Sequence, residues 1–424
     1  MGMSVEPDRT ALDIVARHEG DLLRLAMALI AAPSPSPPGD ERAAAEVACT
    51  ELRSLGLGEV RVVGPRPRRS NVLCCWDTGR PGPTLILNGH LDTKPPGPRG
   101  DWTADPYCPT VREGQLYGLG AADMKGPIAA LTYGLAAAAR AADKTLRGSV
   151  LLALTADEEG EVQDGVRYLV QDLGLRGDAV LIAEPCGISR YWEMLPLVSR
   201  GFGGVRFVVR GTPMHSSVSD RVPCVNASVM ASRLLLHLHE RLALRCPSGP
   251  PWRSPPTVVV GTTVQSGQGL AMVPGLAEFT ANLRTVPGMT RDGVAEDIGQ
   301  CLGEFRGVHP DAVIEWGFVE GPLAWTTPTE IAPDEPLVAA VRQAAELVLG
   351  VSPPPGTFPG GTDAIWWQGT AGIPTIPAFG PGLLPNCHRP DEHVATAELT
   401  RAAMIYALTI LRYLRGDAPC PIPA

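Results

Sequence analysis

Apolar positions along this chain follow two different periods. Residues 10–32 place apolar side chains at helical spacing, and a proline-rich loop separates them from a second helical segment near 40–55. Beyond that segment, short apolar runs alternate with helical ones, among them "GSVLLALTADEEG" (148–160) and "DAVLIAEP" (178–185). This alternation of strand-like and helical segments predicts an α/β fold.

The predicted strands end in a similar way. The run "LILNGHLDTKPP" (85–96) leads into side chains that bind metals or transfer protons, and so do the runs at 148–160, 178–185 and 373–382. The polar residues at or after these runs are His90 and Asp92, Asp157 to Glu159, Glu184, and His388. One such ending is equally compatible with a core strand that finishes in polar residues. Because ligands bind beyond the carboxyl ends of strands in open α/β sheets, the recurrence predicts that these groups converge on one site.

The chemistry of such a cluster indicates metal binding. Carboxylates gathered in one place are unstable unless positive charge lies among them, and no matching set of Lys or Arg accompanies these motifs. A divalent metal is therefore the expected partner. Asp123 stands in the Gly-rich turn of "YGLGAADMKG" (117–126), just before an Ala-rich helix. It can cap that helix, or its carboxylate can bridge two metal ions.

Composition narrows the functional class. The chain has 424 residues, which favours two or three domains, and its 44% hydrophobic and 19% charged residues are typical of a globular protein. A net charge of −9 and the lack of a basic stretch give no support to nucleic-acid binding. No apolar run is long enough for a signal peptide or a membrane span. The ten cysteines are scattered without a CxxC pair, so a cytoplasmic protein with reduced thiols is expected.

The middle of the chain has the pattern of a separate, strand-rich unit. Strand-like and helical segments follow in the order β-α-β-β-α within about 200–315. The segments are 199–217, 225–243, 257–267, 276–285 and 290–305.

Five motifs in this order resemble the M20 family of dinuclear zinc amidohydrolases: "GHLDTKP", "GLGAADMKG", "TADEEG", "AEP" and "CHRPDEH". That family includes acetylornithine deacetylase, succinyl-diaminopimelate desuccinylase, aminoacylases and glutamate carboxypeptidases. The resemblance spans nearly the whole chain and implies a zinc-exopeptidase-like catalytic domain, with a mixed central sheet flanked by helices. It also implies an inserted α+β lid and dimerisation domain at 200–315, between catalytic segments 1–199 and 316–424, and a homodimer formed through that lid.

The resemblance implies a site with two Zn²⁺ ions, for which Co²⁺ can substitute. The implied ligands are His90, Asp123 and Glu184 for one ion and Asp123, Glu159 and His388 for the other, with Asp123 shared. Asp92 matches the family's acid that accepts a hydrogen bond from the metal-bound imidazole. Glu158 matches the general base, which takes a proton from the attacking water and passes it to the leaving nitrogen.

Residues of the lid and of a later loop are implied to act on the substrate. His215, in "GTPMHSS", matches a lid histidine that in dimeric relatives reaches the other subunit's active site and helps to stabilise the oxyanion; an ordinary surface or core histidine is the alternative. Arg284, with Asn282, matches a position that binds a substrate carboxylate, although a structural ion pair is a rival role for Arg284. The remaining implied donors to a carboxylate are Gly360, Gly361 and Thr362 of "PGGTDAIWW".

These features together predict a metal-dependent hydrolase. Two zinc ions can activate water and polarise a carbonyl, as amide hydrolysis at neutral pH requires. The expected substrate is an N-acyl amino acid or a related small molecule with a carboxylate near the scissile amide. A dipeptidase or carboxypeptidase with the same site is one alternative, and a ligand-binding protein that has lost catalysis is another. The presence of all five ligand positions and of Glu158 favours an enzyme.

Overall fold

The computed structural model describes residues 5–160, 163–267, 269–321 and 324–416. By their contacts these residues form two compact units. The first takes in the described residues up to Val198, the segment Glu330–Phe358, and the described residues from Thr362 onward; the second comprises Ser199–Thr329 and Pro359–Gly361.

Helices and strands alternate along three successive stretches of the chain. The first stretch contains helices α1 (Val5–Arg17), α2 (Glu19–Ile30), α3 (Arg42–Leu55), α4 (Lys125–Ala141) and α5 (Val166–Gln171), and strands β1 (Glu59–Val63), β2 (Asn71–Asp77), β3 (Thr84–His90), β4 (Thr110–Arg112), β5 (Gln115–Tyr117), β6 (Ser149–Thr155), β7 (Ala179–Ile182), β8 (Pro185–Gly187) and β9 (Leu195–Ser199). The second unit contains helices α6 (Ala227–Arg241) and α7 (Arg291–Val308), and strands β10 (Gly201–Arg210), β11 (Met214–His215), β12 (Thr257–Ser266), β13 (Met272–Val273), β14 (Leu276–Thr285), β15 (Val313–Phe318) and β16 (Trp325–Thr326). The remainder contains β17 (Thr329–Glu330), α8 (Pro336–Leu349), β18 (Pro355–Phe358), α9 (Ala364–Trp367), β19 (Thr375–Ile376), β20 (Gly380–Leu383), β21 (His393–Ala395) and α10 (Thr396–Arg415).

A six-stranded mixed sheet forms the centre of the first unit, with strand order β1-β2-β6-β3-β7-β19. Strands β6, β3, β7 and β19 run parallel, whereas β2 pairs antiparallel with β6 and β1 pairs antiparallel with β2. The register pairs His90 with Thr155 and Asn88 with Ile182, so β3, β6 and β7 end side by side. Residues that follow these three strands therefore emerge at the same edge of the sheet.

Helix α4 is buried along nearly its whole length, and its many alanines allow close packing. A Cβ atom at Gly134 would lie 2.9 Å from both the carbonyl oxygen of Ala403 and the Cβ atom of Tyr406 on α10, so only glycine permits this approach. Because α4 begins at Lys125, this packing also fixes the turn that carries Asp123.

The second unit is an antiparallel sheet with strand order β12-β14-β10-β15, and β16 pairs with β10. Leu234 of α6 and Ile298 of α7 share its hydrophobic core with one face of the sheet. At the centre of that core the rings of Phe207 and Phe279 stack with their centroids 4.9 Å apart.

The predicted α/β class, with a mixed central sheet flanked by helices and an α+β insertion, is confirmed. Three details differ. The predicted helix 10–32 is two helices, because the backbone leaves helical geometry at His18 (φ −106°, ψ 17°). The run 373–382 forms two short strands in different sheets. The second unit extends to Thr329 rather than 315, because the pairing of β16 with β10 keeps that stretch on its sheet. The lid and dimerisation roles stay predictions.

The helices have lengths typical of a globular fold. Among the described residues, none combines the length and the apolar character needed to cross a bilayer.

Candidate metal centre

His90 is the last residue of β3 and is buried. Its Nδ1 lies 3.0 Å from the backbone oxygen of Asp92. Because a carbonyl oxygen can only accept, a neutral His90 ring carries its proton on Nδ1 and keeps the lone pair of Nε2 free. Nε2 faces the carboxylates of Asp123, at 3.1 Å, and Glu184, at 3.4 Å. The end of β3 therefore presents an imidazole suited to bind a metal through Nε2.

Asp123 connects the two predicted histidine ligands. Its Oδ1 lies 3.1 Å from Nε2 of His90, and its Oδ2 lies 3.0 Å from Nε2 of His388. The residue is buried in the turn just before α4. Each carboxylate oxygen thus faces a different imidazole, which is the arrangement of a bridging carboxylate.

The two remaining acids divide between the histidines. Glu184 follows β7 and approaches His90 at 3.4 Å, whereas Glu159 follows β6 and places Oε1 2.6 Å from Nε2 of His388. We call His90, Asp123 and Glu184 the His90 half-site, and His388, Asp123 and Glu159 the His388 half-site. All five predicted ligands are thus in one cluster, with Asp123 common to both halves.

Over slightly longer distances, potential ligand atoms of the two half-sites and of Glu158 lie close together. Potential ligand atoms of His90, Asp123 and Glu159 lie within 4.8 Å of one another, and so do those of His90, Glu158 and Glu184. A spread of 4.8 Å reaches across both half-sites, whereas the contacts shorter than 3.5 Å join each imidazole to two carboxylates. The broader grouping adds that Glu158 lies beside the His90 half-site.

His388 differs from the other ligands in its backbone and its exposure. Its φ of 57° lies in the left-handed region, which is unfavourable for residues other than glycine. Its side chain is 46% exposed, whereas those of Asp123 and Glu159 are 8% and 5% exposed. The contacts with these two carboxylates hold His388 in place, and the remainder of its ring faces solvent.

The electrostatics of the cluster favour a cation between the carboxylates. Burial lowers the pKa of His388, but hydrogen bonds with Asp123 and Glu159 outweigh it and raise that pKa to about 11. Burial likewise opposes ionisation of Asp123, yet hydrogen bonds with His388 and His90 hold its pKa below the ordinary value. Burial, followed by the neighbouring Asp123 charge, raises the pKa of Glu184 to about 7. The carboxylates that keep the imidazoles protonated would attract a divalent cation at these positions in the same way.

Glu158 lies near the half-sites, and its neighbour Glu159 makes the ligand contact instead. The Glu158 backbone N–H donates to Oδ1 of Asp92 at 3.2 Å, and burial raises the pKa of its carboxyl well above the ordinary value. Adjacent glutamates at the end of β6 therefore occupy different places, as the predicted roles of base and ligand require.

Asp92 makes contacts other than those predicted. Its carboxylate accepts the backbone N–H groups of Glu158, at 3.2 Å, and Glu159, at 3.0 Å. Its Oδ1 lies 3.6 Å from Nδ1 of His90, which contacts the Asp92 backbone oxygen instead. The chain bends at Leu91, and beyond this bend the Asp92 carbonyl lies closer to the ring than the carboxylate. Asp92 therefore orients the imidazole through its main chain and the acidic turn through its side chain.

Glu392 supports the site and was not predicted. Its buried carboxylate accepts the backbone N–H groups of Gly120, Ala122 and Asp123 at 2.8 to 3.0 Å. These three bonds hold the turn that presents Asp123. The sequence signal was available, because Glu392 belongs to the motif "CHRPDEH" that also contains His388.

Two cations lie beside the acidic motifs, for which the sequence shows no matching set of Lys or Arg. Lys94, within "GHLDTKP" itself, places Nζ 3.0 Å from Oε2 of Glu159. Arg69 is buried and lies 2.8 Å from Oδ1 of Asp157, the first acid of "DEE". Lys94 was visible beside its motif, whereas Arg69 is distant in sequence and follows no pattern that links it to the site.

The predicted lid residues are described within the second unit. His215 ends β11, is exposed, and accepts the backbone N–H of Ser217 at its Nδ1, 3.2 Å away. The guanidinium of Arg284 on β14 lies 5.4 Å from the ring centroid of Phe202. No described carboxylate of this unit lies within ion-pair distance of Arg284, so the alternative of a structural ion pair there is not observed. Asn282 lies two residues earlier on the same strand, on the same face of the sheet.

The residues of the predicted Gly-Gly loop differ in their surroundings. Gly360 and Gly361 pack with the second unit, whereas Thr362 belongs to the first. Thr362 is buried, and its hydroxyl oxygen accepts the backbone N–H of Ala364 at the start of α9. Its hydroxyl therefore has a structural role in addition to any contact with a ligand.

The residues present fit a pair of divalent metal ions. Imidazole nitrogen and carboxylate oxygen are ligand types that zinc accepts, and each half-site offers three such donors. Three protein ligands leave an open position for water or substrate, as in catalytic rather than structural sites.

Comparison with known proteins decides the family. The family model described as Peptidase family M20/M25/M40 matches residues 86–412. This chain belongs to the M20 family. The resemblance carried by the five motifs is thereby confirmed, together with the prediction of a metal-dependent hydrolase.

Individual relatives cover this M20 chain almost completely. A succinyl-diaminopimelate desuccinylase of Alkalilimnicola ehrlichii is 30% identical over 403 residues, which cover 93% of this chain and 100% of the relative. The dipeptidase Dug1p of Saccharomyces cerevisiae superimposes with a TM-score of 0.71 at 16% identity, covering 97% and 99% of the two chains. A dinuclear metal-binding M20 peptidase of Bacillus subtilis gives a TM-score of 0.62 at 16% identity, covering 94% and 99%. At these identities the solved structures support the shared M20 fold.

Proposed function

We propose that this M20 enzyme hydrolyses the amide bond of an N-acyl amino acid, or of a related small molecule with a carboxylate near the amide. The observation that carries the proposal is the division of the Asp123 carboxylate between His90 and His388. A shared carboxylate suits a two-metal hydrolytic site. We also propose Zn²⁺ as the ion of both half-sites, with Co²⁺ able to replace it.

The proposed mechanism assigns proton transfer to Glu158. When bound, a pair of zinc ions would supply the Lewis acidity needed to polarise the amide carbonyl and acidify water. Glu158 accepts the proton of the attacking water on its carboxylate and delivers it to the nitrogen of the leaving amine. Asp92 keeps this base in place because its carboxylate binds the backbone N–H groups of Glu158 and Glu159.

Two arginines of the second unit support a carboxylate-bearing substrate. Burial, and after it the positive charge of Arg200, lowers the pKa of Arg284. The Nε atom of Arg200 is buried without a hydrogen-bond partner. No described carboxylate of this unit pairs with either arginine, and partly buried cations of this kind favour an anionic ligand. Because a succinyl group carries a carboxylate, the name of the desuccinylase relatives supports the same substrate class.

We expect the metal-loaded enzyme to hydrolyse N-succinyl and N-acetyl amino acids. For analogues in which a neutral amide replaces the carboxylate, kcat/KM should be at least about tenfold lower, because a charged hydrogen-bonding partner is lost. Arg284→Lys should raise KM for the charged substrates about tenfold, because Lys cannot present two parallel donors. Initial rates over a range of substrate concentrations give both constants.

Arg291→Lys is the matched control, because the Arg291 guanidinium also lies over a ring of the same unit, 4.6 Å from the Phe318 centroid. Equal turnover of the neutral analogues, with Arg284→Lys unchanged, contradicts the carboxylate anchor. Preferential cleavage of dipeptides would favour the dipeptidase or carboxypeptidase alternative. Bound metal without turnover of any amide would favour a non-catalytic ligand-binding role.

We infer that a homodimer forms through β12 and α6 of the second unit. β12 ends the strand order of its sheet, and no strand among the described residues of this unit pairs with its outer edge. Val259 and Val264 of β12, and Val229 and Leu236 of α6, are 48 to 60% exposed. An unpaired edge beside exposed apolar side chains favours pairing with a second copy of the chain.

His215 is proposed to act across this interface, in the active site of the other subunit. His215→Ala and Glu158→Gln should each be nearly inactive, and their equimolar mixture should regain about a quarter of wild-type activity after subunit exchange. Half of the dimers are then mixed, and one of the two sites in each contains both intact groups. Absence of recovery, with exchange verified by native mass spectrometry, would argue against action in trans, and a monomeric enzyme would exclude it.

A cytoplasmic location is proposed from the thiol chemistry. The nine cysteines that the structure describes are all free. Several free thiols without a disulfide among these cysteines are typical of a reducing compartment.

A further inference from the structure

Lys94 contacts two atoms of Glu159 at the His388 half-site. Its Nζ lies 3.0 Å from Oε2 of Glu159 and donates to the Glu159 backbone oxygen at 2.6 Å. The other carboxylate oxygen, Oε1, lies 2.6 Å from Nε2 of His388. The two oxygens of one metal ligand are thus divided between an ammonium group and the half-site.

The main chain of Glu159 is held from its other side as well. Asp92 accepts the Glu159 N–H at 3.0 Å, while Lys94 binds the Glu159 carbonyl. Asp92 and Lys94 both belong to the short segment that begins with His90. That segment therefore supplies a ligand of the His90 half-site and also positions a ligand of the His388 half-site.

We propose that Lys94 is a positioning residue that keeps Glu159 a one-oxygen ligand and lowers the metal affinity of the His388 half-site. This inference rests on the proposed metal centre. The ammonium competes with a divalent cation for the Glu159 carboxylate and repels that cation, because like charges a few ångströms apart interact unfavourably. Its contact with Oε2 also keeps Oε1 directed at His388.

An ordinary surface ion pair does not account for this contact. Exposed pairs between flexible side chains contribute little, but Glu159 is only 5% exposed and Lys94 40%. Lys94 also binds the Glu159 backbone, which an ion pair alone does not require. The arrangement therefore orients the turn after β6, where Glu158 lies next to Glu159.

Lys94→Met tests the inference because it keeps the length of the side chain and removes the charge. In titrations of Zn²⁺ or Co²⁺ against a competing chelator, one of the two sites should bind about tenfold more tightly than in wild type. On the best substrate, kcat should fall about tenfold with little change in KM, the effect typical of changes next to a metal ligand. Lys94→Arg retains the charge and should keep both quantities within about threefold of wild type.

Lys144→Met is the matched control, because Lys144 is an exposed lysine of the same unit. It should alter neither metal affinity nor kcat. Unchanged or weaker metal binding in Lys94→Met overturns the inference, and so does an unchanged kcat. If wild type binds no metal, the proposed centre itself fails. The two failures are distinguishable because the titration needs no substrate.

Discussion

Replacing Glu158 with glutamine is expected to lower kcat about a thousandfold while both metal ions stay bound. Glutamine has nearly the shape of glutamate but cannot accept a proton at neutral pH, so only proton transfer is lost. The cluster contacts of the half-sites are made by other residues, among them Glu159 with His388 and Glu184 with His90. Steady-state rates and metal content, measured on the same preparation, test this expectation.

Glu159→Gln provides the contrast, because it changes the neighbouring residue in the same chemical way. In wild type, Oε1 of Glu159 contacts His388 at 2.6 Å. Loss of the carboxylate charge should therefore weaken the His388 half-site and lower the metal content towards one ion. Equal loss of metal from the two variants would contradict the assignment of base and ligand. A Glu158→Gln enzyme with substantial activity would contradict the role of Glu158 itself.

Replacing Asp123 with asparagine is expected to remove both metal ions. The carboxylate presents one oxygen to each histidine, whereas an amide has a single neutral oxygen and would turn its NH₂ group towards one of them. We expect affinity at each half-site to fall by more than the roughly 10- to 100-fold that changes outside the ligand set cause. Metal analysis after dialysis, and chelator titration of the retained ions, measure the loss.

Glu184→Gln distinguishes a bridging ligand from a single one. Glu184 contacts His90 and belongs to one half-site, so this variant should keep the ion of the His388 half-site. Retention of one ion at wild-type affinity by Asp123→Asn would refute the bridging role. Loss of both ions from Glu184→Gln would show instead that the half-sites do not bind metal separately.

Three residues of the cluster could be predicted from the pattern because their chemistry lies at strand ends. His90, Glu159 and Glu184 each follow an apolar run, and the parallel register of β3, β6 and β7 brings those runs to one edge. Periodicity alone is enough to locate such strands. Their order in the sheet is not needed, since any parallel arrangement gathers their carboxyl ends.

The contacts that the charged partners of the site make could not be predicted in this way. Lys94 and Glu159 are 65 residues apart, and Glu392 binds the turn at Gly120 across 272 residues. Such pairs depend on how separate elements pack, which a local pattern does not contain. The same limit explains the boundary of the second unit, because β16 is a two-residue strand whose pairing with β10 leaves no periodic signal.

At His388 the requirements of the backbone and of the chemistry are opposed. Its left-handed φ of 57° is a conformation that glycine adopts freely and that costs other residues about 1 to 3 kcal/mol. Substitution by glycine would relieve that strain and would remove the imidazole that contacts Asp123 and Glu159. Selection for a more stable chain and selection for an active one therefore favour different residues at this position. The histidine is a site of trade-off between stability and activity, where screens for thermostability alone would tend to recover inactive variants.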